Sequence, residues 1–258
     1  MTGTGQSRDA YQRALLRLLL DEAGVDYRIT IVPVRFSQAR IIHELTQGKL
    51  INLYWMGTSP ELERRLLPVR YPIDRGLLGY RLLFIRDDRQ TDFDSVRSAE
   101  DLGKFIGGQG IGWSDVAILE KAGLKQRQHL YEDLFLLLDA GRIDYFSRGV
   151  TEIFSELDEW RQRYPHLAVE DRLALHYPFA MFFFVSPSQP RLAAALRQGF
   201  EKAYRSGRFE RFFYQRSEIR ESLSRGRLTD RLVLEIPNPS LTPETRAIPA
   251  RYWHRLSQ

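Results

Sequence analysis

GLLGYRLLFI, residues 76–85, carries one charge, Arg81, in ten otherwise uncharged positions. A long apolar run of this kind reads as an extended strand. The charged, turn-rich RDDRQTDFDS follows directly, so the chain is expected to leave one compact unit here and enter another. A second apolar run, YPFAMFFFV (177–185), mirrors the first and is placed to carry the chain back. These runs bracket a middle segment of alternating helix and strand signals. The expected fold class is therefore α/β with two lobes, each a mixed sheet flanked by helices, and two crossing strands. Lobe 1 is assigned to 1–84 plus 186–258 and lobe 2 to 85–185, with ligands expected in a cleft between them.

Outward from these runs, Tyr11, Ala14, Leu15, Leu18 and Leu19 line one helical face, and Gly24 ends that helix where positive φ is needed. Tyr27, Ile29 and Ile31 alternate as in a strand before Pro33. Ser37 is placed to cap a helix that ends at Gly48, and KLINLYWMG (49–57) reads as the next strand. Thr58 or Ser59 caps a helix with Pro60 in its first turn. In the middle segment, Ser98 with Asp101 suggests a capping box, KFIGG a strand, and SDVAILEKAGL a helix capped at Ser114. A helix over 131–140 and a strand over 142–146 complete it.

The chain has 258 residues, 43% hydrophobic and 12% aromatic, enough for sizeable cores. No run approaches the ~18 apolar residues of a membrane span, so no membrane insertion is expected. The absence of cysteine excludes disulfides, thiolate metal sites and a cysteine nucleophile. The net charge of +5 reads as a dispersed arginine excess, and no nucleic-acid partner is expected. In the dense segment 205–227, Phe209, Phe212 and Phe213 fall at i, i+3 and i+4, a buried stripe behind a solvated basic face.

The glycine cluster GGQGIGWSD (107–115) lacks the spacing of a dinucleotide fingerprint and the GK[ST] of a P-loop. Two readings remain: a strand delivering a helix N-terminus that holds one small anion, or a tight strand-to-helix turn.

RGLLGYRLLFI, SAEDLGKFIGGQGIGWSD and DAGRIDYFSRGVTEI, in that order, resemble the bacterial periplasmic solute-binding proteins of type II, closest to the amino-acid-binding group of ABC transporters. TSPELERRLLPVRYPI and LAAALRQGFEKAYRSGRFERFF extend the resemblance over nearly the whole chain. It implies that Arg81 clamps a ligand carboxylate, as a planar guanidinium does well. It also implies that Trp113, Ser114 and Asp115 complete the carboxylate site. Where the amino-acid binders place an aspartate for the ligand ammonium, DYFSRGV is read as placing Arg148. Either Arg81 and Arg148 meet an anion from opposite lobes, the preferred reading, or Arg148 turns away and pairs with Glu152 at i+4. Tyr54, Trp55 and Trp113 are candidates to stack on a ligand, with core packing as the alternative. The resemblance further implies a first strand and an export signal, yet the chain opens with MTGTGQSRDAYQ; both are expected to be missing from it.

No nucleophile, base and orienting group stand at a recognisable spacing, and no catalytic residue, metal site or cofactor is expected. The expected function is extracytoplasmic binding of a small polar or anionic solute by a monomer, not an enzyme. A periplasmic location and an ABC permease or membrane sensor partner are implied by the resemblance alone. The alternatives are a lyase or dehydratase on the same scaffold and a ligand-free sensory interaction domain.

Overall fold

The computed structural model describes residues 9–32 and 36–256. In chain order the elements are α1 (Ala10–Ala23), α2 (Gln38–Gln47), β1 (Leu53–Gly57), α3 (Pro60–Arg65), β2 (Leu67–Val69), β3 (Tyr80–Arg86), α4 (Gln90–Phe93), α5 (Ala99–Leu102) and β4 (Gly107–Gly110). Then come α6 (Val116–Lys121), β5 (Gln126–His129), α7 (Tyr131–Asp139), β6 (Tyr145–Gly149), α8 (Val150–Trp160), β7 (Leu167–Val169), β8 (Leu173–His176) and β9 (Met181–Val185). The chain finishes with α9 (Pro190–Arg205), α10 (Arg208–Gln215), α11 (Ser217–Gly226), β10 (Leu232–Glu235) and α12 (Pro243–Arg246).

Two compact units result. The first comprises 1–75, 180–220 and 241–253; the second comprises 76–179, 221–240 and 254–258. The lobe limits expected from sequence differ from these. Strand β3 lies wholly in the second unit and β9 in the first, and 221–240 packs with the second unit because β10 adds in parallel to β8.

In the first unit β9 is the centre of a three-stranded antiparallel sheet in the order β1-β9-β2. All five β9 residues are buried, and Phe182 and Phe184 enter a core with Ile41, Leu45, Met56 and Leu62. Each phenylalanine contributes about 2–3 kcal/mol by leaving water. The helix signals hold locally: Ser37 accepts from Arg40 N–H and Ser59 from Leu62 N–H, while Gly24 closes α1 at φ 70°.

One expected element is missing. Residues 27–32 form no strand despite the alternation of Tyr27, Ile29 and Ile31. A strand requires a neighbouring ladder, and none pairs with this segment among the described residues; Tyr27 and Ile31 remain 39% and 54% exposed. Pro33 and the opening residues 1–8, on which the missing first strand was argued, lie outside the described residues.

The second unit is built on a mixed sheet in the order β10-β8-β3-β6-β4-β5, with β7 also pairing β3. Strand β3 runs antiparallel to β6, β7 and β8, whereas β4 is parallel to both β5 and β6. Phe84, Phe135, Phe146 and Trp160 pack across its α7/α8 face, with Phe135 and Trp160 stacked at 4.6 Å.

A buried carboxylate ties the start of segment 241–253 into the first unit. Glu63, almost fully buried, accepts from Thr58 and Thr245 at 2.7 Å each, from Thr242 at 2.9 Å and from Arg70 Nε at 3.0 Å. Glu63→Ala is expected to lower stability by about 2–4 kcal/mol in urea titration and to open 241–253 to limited proteolysis. A variant that melts and resists protease like the parent would refute that role.

Candidate functional site

Strand β3 opens with Tyr80 and Arg81, and its pairing with β6 sets Arg81 opposite Gly149 and Leu82 opposite Arg148. Both arginines therefore stand on adjacent strands of one unit, and the expected clamp of two cations from opposite lobes is corrected. Each arginine is already matched by carboxylates.

Arg81 is 1% exposed. Its guanidinium donates to the carbonyls of Ser147 (2.8 Å) and Leu78 (3.3 Å). Asp115 and Glu152 neutralise it at 3.3 and 3.7 Å as ion pairs. Its Nε–H finds no acceptor among the described residues. Asp115 Oδ2 also accepts from Tyr177 Oη (2.9 Å) and Gln109 Nε2 (3.1 Å), and Gln109 in turn reaches Ser147 Oγ (3.1 Å). Burial, first, and the neighbouring Asp115 hold the Tyr177 phenol well above the ordinary tyrosine range, against the pull of Arg81, so it stays a donor.

Asp115 takes this position because of where the helix begins. Ser114 was expected to cap α6, but Asp115 is the N-cap residue, and its side chain makes no capping bond. Trp113 N–H donates to Gly110 O, closing a turn that carries Asp115 to the helix start while its carboxylate turns to Arg81. Ser114 is half-buried beside it.

Arg148 follows the second of the two sequence readings. It pairs with Glu152 at 3.1 Å, and it makes two 2.7 Å hydrogen bonds to Glu156, a partner not foreseen. Burial pulls its pKa down, but Glu152 and Glu156 outweigh that and hold it above the usual arginine range. Its guanidinium lies 4.7 Å from the Trp113 ring centre. A Cβ on Gly110 would sit 2.1 Å from Trp113 Cε2, so that glycine admits the indole against the strand end. The glycine cluster is thus the bed for a tryptophan. Glu152, which also accepts from Gly149 N–H at 3.0 Å, has its side chain 26% exposed, the most accessible charge of the group.

Tyr54 and Trp55 belong to the first unit and stack on each other at 5.1 Å and 5°. Trp55 meets Phe183 edge-on, and burial pushes the Tyr54 phenol up to about 12. The structure thus groups Arg81, Trp113, Ser114, Asp115 and Arg148 in one unit and leaves this pair in the other. Gln109, Ser147, Glu156 and Tyr177 were missed. Gln109 alone had a signal, a polar side chain inside a strand of glycines.

Arg148→Met is expected to cost about 3–5 kcal/mol by stranding the buried Glu156 carboxylate. Arg148→Met with Glu156→Leu should recover most of that loss in chemical denaturation, a coupling absent if the two side chains act independently.

No protein-family model matches the sequence, and no curated protein matches it. Solved structures do. An ancestral arginine-binding protein bound to arginine is similar with a TM-score of 0.58 and 15% identity, over 80% of this chain and 86% of that one. AbpA from Streptococcus pneumoniae, an amino acid ABC transporter substrate-binding protein bound to L-arginine, gives 0.57 and 14% over 82% and 84%. The ancestral amino-acid-binding protein AncCDT-1, described as a precursor of cyclohexadienyl dehydratase, gives 0.55 and 15% over 80% and 83%. The mixed sheets flanked by helices, together with these likenesses, show that the chain has the fold of the type II periplasmic binding proteins.

Proposed function

We propose that the protein binds a small amino-acid-like solute without transforming it, and that the second unit recognises it through Arg81, Glu152, Ser114 and Asp115. The unfilled donor capacity of Arg81 carries this reading. Two of its N–H groups serve main-chain carbonyls, its Nε–H has no acceptor among the described residues, and its carboxylate partners stand at ion-pair distances of 3.3 and 3.7 Å. A solute carboxylate supplies the missing acceptors once Glu152 moves aside. Three carboxylates, Asp115, Glu152 and Glu156, stand against two guanidinium groups, so a purely anionic solute meets an unfavourable local charge. A zwitterion whose amino group faces the accessible Glu152 meets a favourable one. Trp113, packed against Arg148 and Gly110, shapes the wall. Tyr54 and Trp55 are assigned to the packing of the first unit. Solute capture outside the cytoplasm for an ABC permease or a membrane sensor, by a monomer, is the matching role; among the described residues no helix is long and apolar enough to cross a membrane.

A second reading has its own observation. Both arginines are buried and internally neutralised, which also suits a module that binds no solute and serves a sensory partner.

A thermal-shift series with amino acids and simple carboxylates distinguishes them. Solute binding predicts a saturable rise following RT ln(1 + [L]/Kd), about 2.7 kcal/mol at a hundredfold excess over Kd. Arg81→Lys keeps the charge beside Asp115 but loses the planar fork, and should abolish the rise. Glu152→Gln should shift preference from zwitterions toward plain carboxylates. Stabilisation unchanged in Arg81→Lys overturns the site; no shift with any compound favours the solute-free module, and turnover of the stabilising compound identifies an enzyme.

A further inference from the structure

The positive charge of the chain is not dispersed. Residues 190–220 hold eight basic and three acidic side chains, a net +5 equal to the formal charge of the entire chain. Helix α9 buries Ala193, Leu196, Gly199, Phe200 and Ala203. At about 100° per residue, Arg191, Lys202 and Arg205 fall within about 60° on the opposite face, with Arg197 at its flank. All four are exposed, as is Arg211 on α10, and none of the five has an ion-pair partner among the described residues.

A cleft of about 420 Å³ opens beside this stripe, lined by Glu201, Tyr204, Arg205, Glu210, Arg251 and Tyr252. All belong to the first unit. Its back wall is aromatic: Tyr204 packs on Tyr252 at 4.3 Å and on Phe209 at 4.6 Å. Two buried donors here lack acceptors among the described residues, Tyr204 Oη–H and Nε–H of Arg75, whose Nη1 pairs with Glu210 at 2.7 Å. Burial pushes the Tyr204 phenol up and nearby Arg75 pulls it partway back, so the hydroxyl keeps its proton. Tyrosine and arginine around a cleft form the composition of binding hot spots, and unfilled donors call for an acceptor.

We propose that this face of the first unit docks an acidic polypeptide, which lays carboxylates along the α9 stripe and places one in the Tyr204 cleft. Flexible carboxylate side chains can step around the interleaved Glu201 and Glu210, which a uniform phosphate surface cannot. A bilayer finds no apolar face to take up either, because Phe209 and Phe213 are turned into the core. The inference is independent of the solute site, since no residue is shared.

The test is fluorescence anisotropy of a labelled octaglutamate peptide, with phosphatidylglycerol vesicles and an oligothymidine strand as competing probes. Octaglutamate is expected to bind, and to weaken about tenfold or more between low and physiological salt. The triple variant Arg191→Glu, Lys202→Glu, Arg205→Glu should lose that binding while keeping the parent's thermal midpoint. Tyr204→Phe removes an unpaired buried hydroxyl, so it should melt no earlier than the parent yet bind the peptide several-fold more weakly. The proposal fails if octaglutamate does not bind at low salt, if the triple variant binds equally well, or if vesicles or oligonucleotide are preferred.

Discussion

A guanidinium taken out of water needs carboxylates and carbonyls to replace its hydration, and the second unit buries two such groups side by side on β3 and β6. Arg81 draws on the carbonyls of Leu78 and Ser147 and the carboxylates of Asp115 and Glu152; Arg148 draws on Glu152 and Glu156. These partners come from β3, β6, the turn before α6, and α8, and Tyr177 and Gln109 add donors to Asp115. The pairs work only when all these elements are in register, since an unmatched buried charge costs several kcal/mol. Any packing that separates these partners therefore carries that cost.

The first unit meets the same constraint with its charges reversed in role. Glu63 gathers three hydroxyls and Arg70, and Arg75 donates to Glu210 and to the carbonyls of Arg251 and Trp253. Both bind the late segment 241–253, whose Ile248 and Trp253 also pack against the core of the first unit. Arg75 adopts φ 54°, a left-handed conformation unusual for a side-chain-bearing residue, immediately before Gly76 begins the second unit. The backbone is held there by the anchoring of its guanidinium.

Local signals proved legible wherever the chemistry was local. Ser37, Ser59 and Ser98 cap their helices because a hydroxyl needs only the N–H three residues on. Phe209 and Phe213 turn inward and the arginines of α10 outward, as the helical period requires, whereas Phe212, expected in the same stripe, is only half-buried. The alternation at 27–31 misled because it records side-chain preference and not the presence of a ladder partner. Ser114 was mistaken for the cap because Asp115, equally able to cap, uses its carboxylate elsewhere. Arg148 was read as a ligand contact because its main partner, Glu156, lies two helical turns along α8 and looked like one more solvated acid.

From the sequence alone came the fold class, the two apolar runs, most helix ends and the singular status of Arg81, since periodicity, capping and a lone charge in an apolar strand are properties of neighbouring residues. Only the tertiary structure decided which carboxylates neutralise which arginines, that both arginines share one unit, and that Arg191, Lys202 and Arg205 have no ion-pair partner among the described residues. Those facts depend on distances of a few ångströms between residues far apart along the chain, and charge interactions follow distance in space, not order in sequence.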